Sequence, residues 1–310
     1  MALTATLAPF RLMFFTGDHG MELLPWAHQT SAGFSLRGWH SPPSGKPLLH
    51  FLHGNGFSTR SYEPLLELLA HDFDLWLCDL QGHGQSDHGD KFVGWNRNAE
   101  LALEAFEAGR GLFGNVPRVA CGHSFGGVLT ALILSAEPDL FERAVLLDPV
   151  FFPPGLITLR RGLGLLGINS NPVAKRARSR RDSWPDRAAA HSSLHNRGMF
   201  RGWDENAFAA HITHALRDHP ERGVELCCHP SREADVFMSM PSGLWRSLRR
   251  IKTATHIIYG DRTYPFVGVS ARRLAGSGVR CTAHQTAGGH CFMLEHPRSA
   301  AEQVSRFLLS

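Results

Sequence analysis

The chain has 310 residues, 43% hydrophobic and 19% charged, with a net charge of +4. That balance supports one sizeable globular core and excludes a disordered or low-complexity protein. Six scattered cysteines (Cys78, Cys121, Cys227, Cys228, Cys281 and Cys291) make neither a disulfide framework nor paired zinc spacing, so a reducing, cytoplasmic setting is expected. The first twenty residues lack the pattern of a secretory signal. No stretch reaches the roughly 18–20 apolar residues of a membrane span, so stable membrane insertion is not expected. Nineteen histidines invite a metal, but no HExxH or comparable ligand spacing occurs. The run Lys175 to Arg181 ("KRARSRR") is too short and too poor in aromatics for a nucleic-acid surface. Neither a cofactor, a metal nor nucleic acid is expected.

In chain order, short apolar runs recur at 10–15 (FRLMFF), 34–39 (FSLRGW), 48–53 (LLHFLH), 73–78 (FDLWLC), 118–122, 144–148, 255–260 and 279–284. The first two read as an antiparallel start. From the third onward the runs are almost continuous, as strands buried on both faces are. Helical periodicity fills the gaps at 61–70, 95–109 and 126–138, and again at 205–219. Strand alternating with helix predicts an α/β fold with a mostly parallel, eight-stranded sheet flanked by helices. The alternation lapses over 151–250, where 16 Lys/Arg stand against 9 Asp/Glu, a net +7. The division expected is a core of 1–150 and 251–310 with a mainly helical cap at 151–250.

Gly122-His123-Ser124-Phe125-Gly126 carries the strongest chemical signal. In G-x-S-x-G between a strand and a helix, the glycines clear room for a strained turn that lifts the serine hydroxyl above the sheet. His123 beside it is read as packing. "FLHGNGF" (51–57) is a glycine-rich turn after an earlier strand, able to aim the backbone N–H of Asn55 at a developing oxyanion; Phe125 after the serine offers a second N–H. "TAGGHCFMLEHP" (286–297) places His290 on a glycine-flanked loop beyond the last strand, where a general base for Ser124 is needed.

With HGNGF, DLQGHGQSD (79–87), GHSFGG and GGHCFMLEHP together, the chain resembles the α/β-hydrolase superfamily, in the serine-hydrolase branch with a helical cap between the sixth and seventh strands. The resemblance covers nearly everything outside 151–250. It implies Ser124 as nucleophile, His290 as base and Asn55 with Phe125 as oxyanion donors. It also implies that Asp79, Gly82 and Gly84 shape the loop after the fourth strand. The family's commonest site for the triad acid lies three residues past the glycine of the seventh strand, and here that position is Thr263, which cannot carry the charge. Asp261 is two residues too early. Relatives with the acid at the end of the sixth strand point to Asp148, which is the acid expected here, with Asp261 as the alternative.

Aromatic and aliphatic residues in 151–250, among them Phe151, Phe152, Leu165, Leu166, Met199 and Trp203, are expected to pack the cap and in part to roof Ser124. KRARSRR reads as a solvated helix face, or else as a draw for an anionic head group. The function expected is hydrolysis of a small apolar carboxylic ester through an acyl-serine intermediate. Thioester or carbon–carbon bond hydrolysis would use the same residues, and a ligand receptor without turnover is the rival of another class.

Overall fold

The computed structural model describes residues 21–166 and 171–310. An α/β core is built on eight strands: β1 (Leu24–Gln29), β2 (Ser35–His40), β3 (Leu48–Leu52), β4 (Asp74–Asp79), β5 (Arg118–His123), β6 (Arg143–Leu147), β10 (Ala254–Gly260) and β11 (Cys281–Thr286). Their order across the sheet is β1-β2-β4-β3-β5-β6-β10-β11. The pairs β1–β2 and β2–β4 are antiparallel, and every other pair is parallel. β3 and β4 are buried at every residue, which is why their sequences run apolar without alternation.

The helices flanking this sheet are α1 (Glu63–Leu69), α2 (Trp95–Gly109), α3 (Ser124–Ala136), α10 (Pro265–Ala275), α11 (Phe292–Glu295) and α12 (Pro297–Leu308). α3 is apolar all round, with every residue from Ser124 to Ser135 buried, as expected of a helix enclosed by the sheet and its neighbours. One apolar cluster includes Phe106, Leu129 and Ile257; a second, including Phe51, Leu66 and Phe292, joins β3 to α1 and α11.

Between β6 and β10 lie α4 (Pro154–Leu165), α5 (Pro172–Arg178), α6 (Arg187–Leu194), α7 (Glu205–His214), α8 (Pro230–Met238) and α9 (Leu244–Leu248). Among them runs a small antiparallel sheet of β7 (Ser183–Trp184), β8 (Leu216–His219) and β9 (Gly223–Leu226), in the order β7-β9-β8. This sheet departs from the sequence reading, which carried one helix through 205–219. The helix stops at His214, and Leu216–His219 pairs with Gly223–Leu226 across a turn that Gly223 closes with φ +78°. Pairing with β9 outweighs the helical periodicity of that short stretch.

The antiparallel start also differs in its partner. β2 pairs with Leu24–Gln29, which was missed because Pro25 interrupts it and its pattern is largely exposed. Both features are tolerated on an edge strand. The run at 10–15 lies outside the described residues. Among the described residues no helix is long and apolar enough to cross a membrane.

Candidate active site

β3 has β4 on one side and β5 on the other, so the strand order reverses at this point. Loops leaving the carboxyl ends of such strands border a crevice. Leu52 of β3 is opposite Gly122 of β5, and His123 is opposite Leu147 of β6. The next residue on each of β5 and β6 is Ser124 and Asp148, and both turn sharply out of the sheet with left-handed backbone, φ 52° and 46°. This is the sparsely occupied region that stores strain in non-glycine residues.

The elbow at Ser124 is possible only because its flanks are glycine. A Cβ on Gly122 would fall 2.6 Å from the Gly126 carbonyl oxygen, and one on Gly126 would fall 2.3 Å from the Leu52 carbonyl oxygen. The Gly126 N–H donates to the His53 carbonyl at 3.1 Å, tying the elbow to the loop after β3.

Three side chains from distant parts of the sequence meet here. The Ser124 hydroxyl lies 2.9 Å from His290 Nε2, and His290 Nδ1 lies 2.6 Å from Asp148 Oδ1. A carboxylate only accepts, so the imidazole proton sits on Nδ1 and the Nε2 lone pair faces the serine O–H. Ser124 is 7% exposed and Asp148 fully buried. The Asp148 carboxylate is held from two further directions: Gly260 N–H donates to Oδ2 at 2.8 Å and the Thr263 hydroxyl donates to Oδ1 at 2.5 Å. A hydroxyl, imidazole and carboxylate in this order can move a proton off the hydroxyl while the carboxylate stabilises the imidazolium.

Thr263 occupies the position that gave the sequence its puzzle, and its hydroxyl binds the carboxylate of Asp148. Asp261 lies elsewhere. Its side chain is half exposed, with Oδ1 accepting from Gly288 N–H at 2.9 Å and Arg262 3.9 Å away. That contact helps anchor the loop carrying His290. Arg262 binds Glu295 at 2.9 Å, whose other oxygen accepts from Gly289 N–H at 2.8 Å.

His123 is more than packing, contrary to its sequence reading. The Tyr62 oxygen accepts from Gly54 N–H at 3.0 Å, so its own proton points to His123 Nδ1 at 2.6 Å. A neutral His123 then donates from Nε2 to the His290 carbonyl at 3.0 Å. Burial holds His123 well below the usual imidazole range, and the nearby His290 adds to this, so it stays neutral and keeps this single tautomer. One chain of hydrogen bonds therefore joins the loop after β3, the elbow and the His290 loop. Nothing in the local sequence around Tyr62 signalled this, because its partners are remote along the chain.

Asn55 lies in the loop three residues past β3, and Phe125 follows Ser124 in the first turn of α3. Among the described residues, neither backbone N–H finds a protein acceptor. The Asn55 side chain is taken up elsewhere: Nδ2 donates to the Glu233 carbonyl of α8 at 3.1 Å, and Oδ1 lies 3.1 Å from His83 Nε2. Asp79 is buried; Oδ1 accepts from the N–H and hydroxyl of Thr59, and Oδ2 from Gln85 N–H. Gly84 approaches so closely that a Cβ would lie 2.1 Å from Asp79 Oδ2.

An aromatic row borders the site. Phe125 meets Trp95 edge-on at 4.6 Å, Trp95 meets Phe152 at 5.8 Å, and Phe152 stacks with Phe266 at 5.9 Å. Tyr264 stacks on Phe266 and stands 4.9 Å from the His290 ring. Of the residues expected to roof the serine, Phe151 and Trp203 are buried in the two apolar clusters. Leu165, Leu166 and Met199 face water, at 90%, 76% and 42% exposure, and roof nothing. The basic run is partly neutralised within the molecule, Arg178 pairing with Asp235 and Arg180 with Glu233. A surface cavity of about 910 Å³ between α1 and the start of α12 includes none of Ser124, Asp148 and His290.

Comparison with known proteins agrees with this architecture. A family model described as the alpha/beta hydrolase family matches residues 51–303. A human serine hydrolase-like protein is 30% identical over 139 residues, 42% of this chain and 59% of that protein. Mouse monoglyceride lipase is 30% identical over 113 residues, 35% of this chain and 37% of the lipase. The chain thus spans little more than half the length of the one and about a third of the other. Among solved structures, the peroxisomal alpha-beta-hydrolase Lpx1 from Saccharomyces cerevisiae superposes with a TM-score of 0.74 at 18% identity, over 92% of this chain and 87% of that one. At that identity the likeness shows the fold alone.

Proposed function

The chain belongs to the alpha/beta hydrolase family, and from that premise we propose that it is a serine hydrolase cleaving small apolar carboxylic esters through an acyl–Ser124 intermediate. The observation that carries this reading is the unbroken Ser124–His290–Asp148 hydrogen-bond chain at the carboxyl edge of the sheet. In the forward half-reaction His290 Nε2 takes the Ser124 proton as Oγ attacks the ester carbonyl carbon. The carbonyl π electrons move onto oxygen, where the Asn55 and Phe125 N–H groups stabilise the charge. Collapse re-forms the carbonyl and breaks the carbon–oxygen bond, and the leaving alkoxide takes the proton from His290. Water, deprotonated by the same nitrogen, then releases the acid and returns the proton to Ser124.

Asp148 acts as the triad acid in this reading, with Thr263 and Gly260 fixing its two oxygens. Residues 151–250 serve as a cap, and the aromatic row from Trp95 to Tyr264 favours an acyl or aryl group over a charged one. Six buried free cysteines fit a reducing, cytoplasmic compartment.

The test is labelling by a fluorophosphonate probe, followed by stopped-flow hydrolysis of an activated ester. Stoichiometric labelling of Ser124, absent in Ser124→Ala, together with an acyl-enzyme burst and steady turnover, is the expected result. Labelling without turnover would overturn hydrolysis in favour of a receptor.

A further inference from the structure

The insertion presents an apolar helix that the fold leaves uncovered. α4 carries Leu156, Ile157, Leu159, Leu163 and Leu165, and Leu166 follows it, yet among its described side chains only Ile157 is buried. Leu159 is 58% exposed, Leu165 90% and Leu166 76%. Scattered exposed leucines need no explanation, but three large ones, Leu159, Leu165 and Leu166, exposed on one helix and its end mark an interaction surface.

Charge indicates what covers it. Residues 154–178 contain five Lys/Arg and no Asp/Glu. Lys175 and Arg176 of α5 are exposed, beside Val173 at 54% exposure, and neither forms an ion pair among the described residues. A second copy of the same segment would set like charge against like. An anionic surface that also accepts leucines satisfies both features. Position supplies the third argument. Phe152, two residues before α4, begins the stacked row Phe152–Phe266–Tyr264 that ends against His290. Tyr264 itself is 51% exposed, so the row that starts two residues before the helix reaches water beside His290.

We propose that α4 and the start of α5 dock the protein peripherally on a bilayer bearing anionic lipid, with the leucines in the interface and Lys175 and Arg176 against the head groups. Such a helix lies in the plane of the membrane surface and does not cross it. The docking does not depend on the acyl chemistry, and its test reads partitioning alone.

The experiment sediments the 310-residue protein with vesicles of equimolar phosphatidylcholine and phosphatidylglycerol, and with phosphatidylcholine alone. Wild type partitions to the mixed vesicles and is released by salt. Leu159→Glu/Leu166→Glu lowers partitioning at least about ten-fold, and Lys175→Glu/Arg176→Glu lowers it about ten-fold on mixed vesicles only. Near-UV circular dichroism and melting temperatures like those of wild type show that the variants are folded. Failure of wild type to sediment with mixed vesicles overturns the proposal, as does undiminished binding of the leucine variant. A concentration-dependent dimer abolished by Leu159→Glu/Leu166→Glu, without vesicle binding, overturns it in favour of a second copy of the chain.

Discussion

The sheet edge that carries the site and the 151–250 insertion are built on different terms. Around Ser124 and His290 the groups that hold the triad are paired, each tautomer fixed by its neighbour: Gly54 to Tyr62 to His123 to His290, and Thr263 and Gly260 to Asp148. In 151–250 ion pairs such as Arg178–Asp235 and Arg187–Asp218 lie near water, and α4 exposes leucines. Loss of one buried partner at the sheet edge strands another group in a low dielectric, whereas a solvated ion pair is worth about 0–1 kcal/mol. The geometry of Ser124, His290 and Asp148 is therefore held by the sheet edge, whereas the insertion leaves charge and apolar surface exposed.

The largest expected effect lies at the sheet edge. Asp148→Asn should lower kcat on an activated ester by about 10⁴, because it leaves the geometry intact and favours the wrong tautomer. Asp261→Asn should change kcat by no more than roughly three-fold, since an asparagine Oδ1 still accepts from Gly288 N–H. Thr263 Oγ1 is 2.5 Å from Asp148 Oδ1, so Asp148→Asn/Thr263→Asp should recover at least about ten-fold of the lost rate. A collapse in Asp261→Asn with Asp148→Asn near wild type would reverse the assignment.

Tyr62→Phe is the intermediate case. It leaves Gly54 N–H and His123 Nδ1 without partners, so we expect stability to fall by about 1–3 kcal/mol and kcat by roughly ten-fold with KM little changed. Equal changes in kcat and KM, or none, would mean that the link between the loops does not position His290.

The last effect comes from acid, builds up gradually with pH, and compares the two regions directly. His50 in β3 has no protein partner for either ring nitrogen among the described residues, and His211 in α7 has none for Nε2. Burial lowers each to about 3. Between that value and the ordinary 6.5 of the unfolded chain, the unfolded state binds the extra proton. Stability is therefore full above pH 6.5 and falls as the pH drops toward 3. Each histidine contributes up to about 1.4 kcal/mol per pH unit. Urea midpoints measured from pH 7 to 4 should decline less steeply in His50→Phe, which places a ring between Phe106 and Phe141. If His211→Phe flattens a separate, earlier transition, the insertion unfolds apart from the sheet.

Most of the core was legible because continuous apolar runs report burial directly. Gly122, Gly126 and Ser124 were equally plain, since a strand-to-helix elbow tolerates little else there. β1 was hidden by Pro25 and by half-exposure, and β8 by a helical pattern running into it. His123 was misjudged because its partners, Tyr62 and the His290 carbonyl, lie 61 and 167 residues away. Local composition therefore determined the fold class, the strained turn at Ser124 and the lack of a carboxylate at position 263. Only the tertiary structure decided that β6 delivers Asp148 level with Ser124, that Thr263 serves as a hydroxyl donor to it, and that the leucines of α4 face outward. Register and side-chain direction depend on what packs alongside, and a sequence read in order does not contain those neighbours.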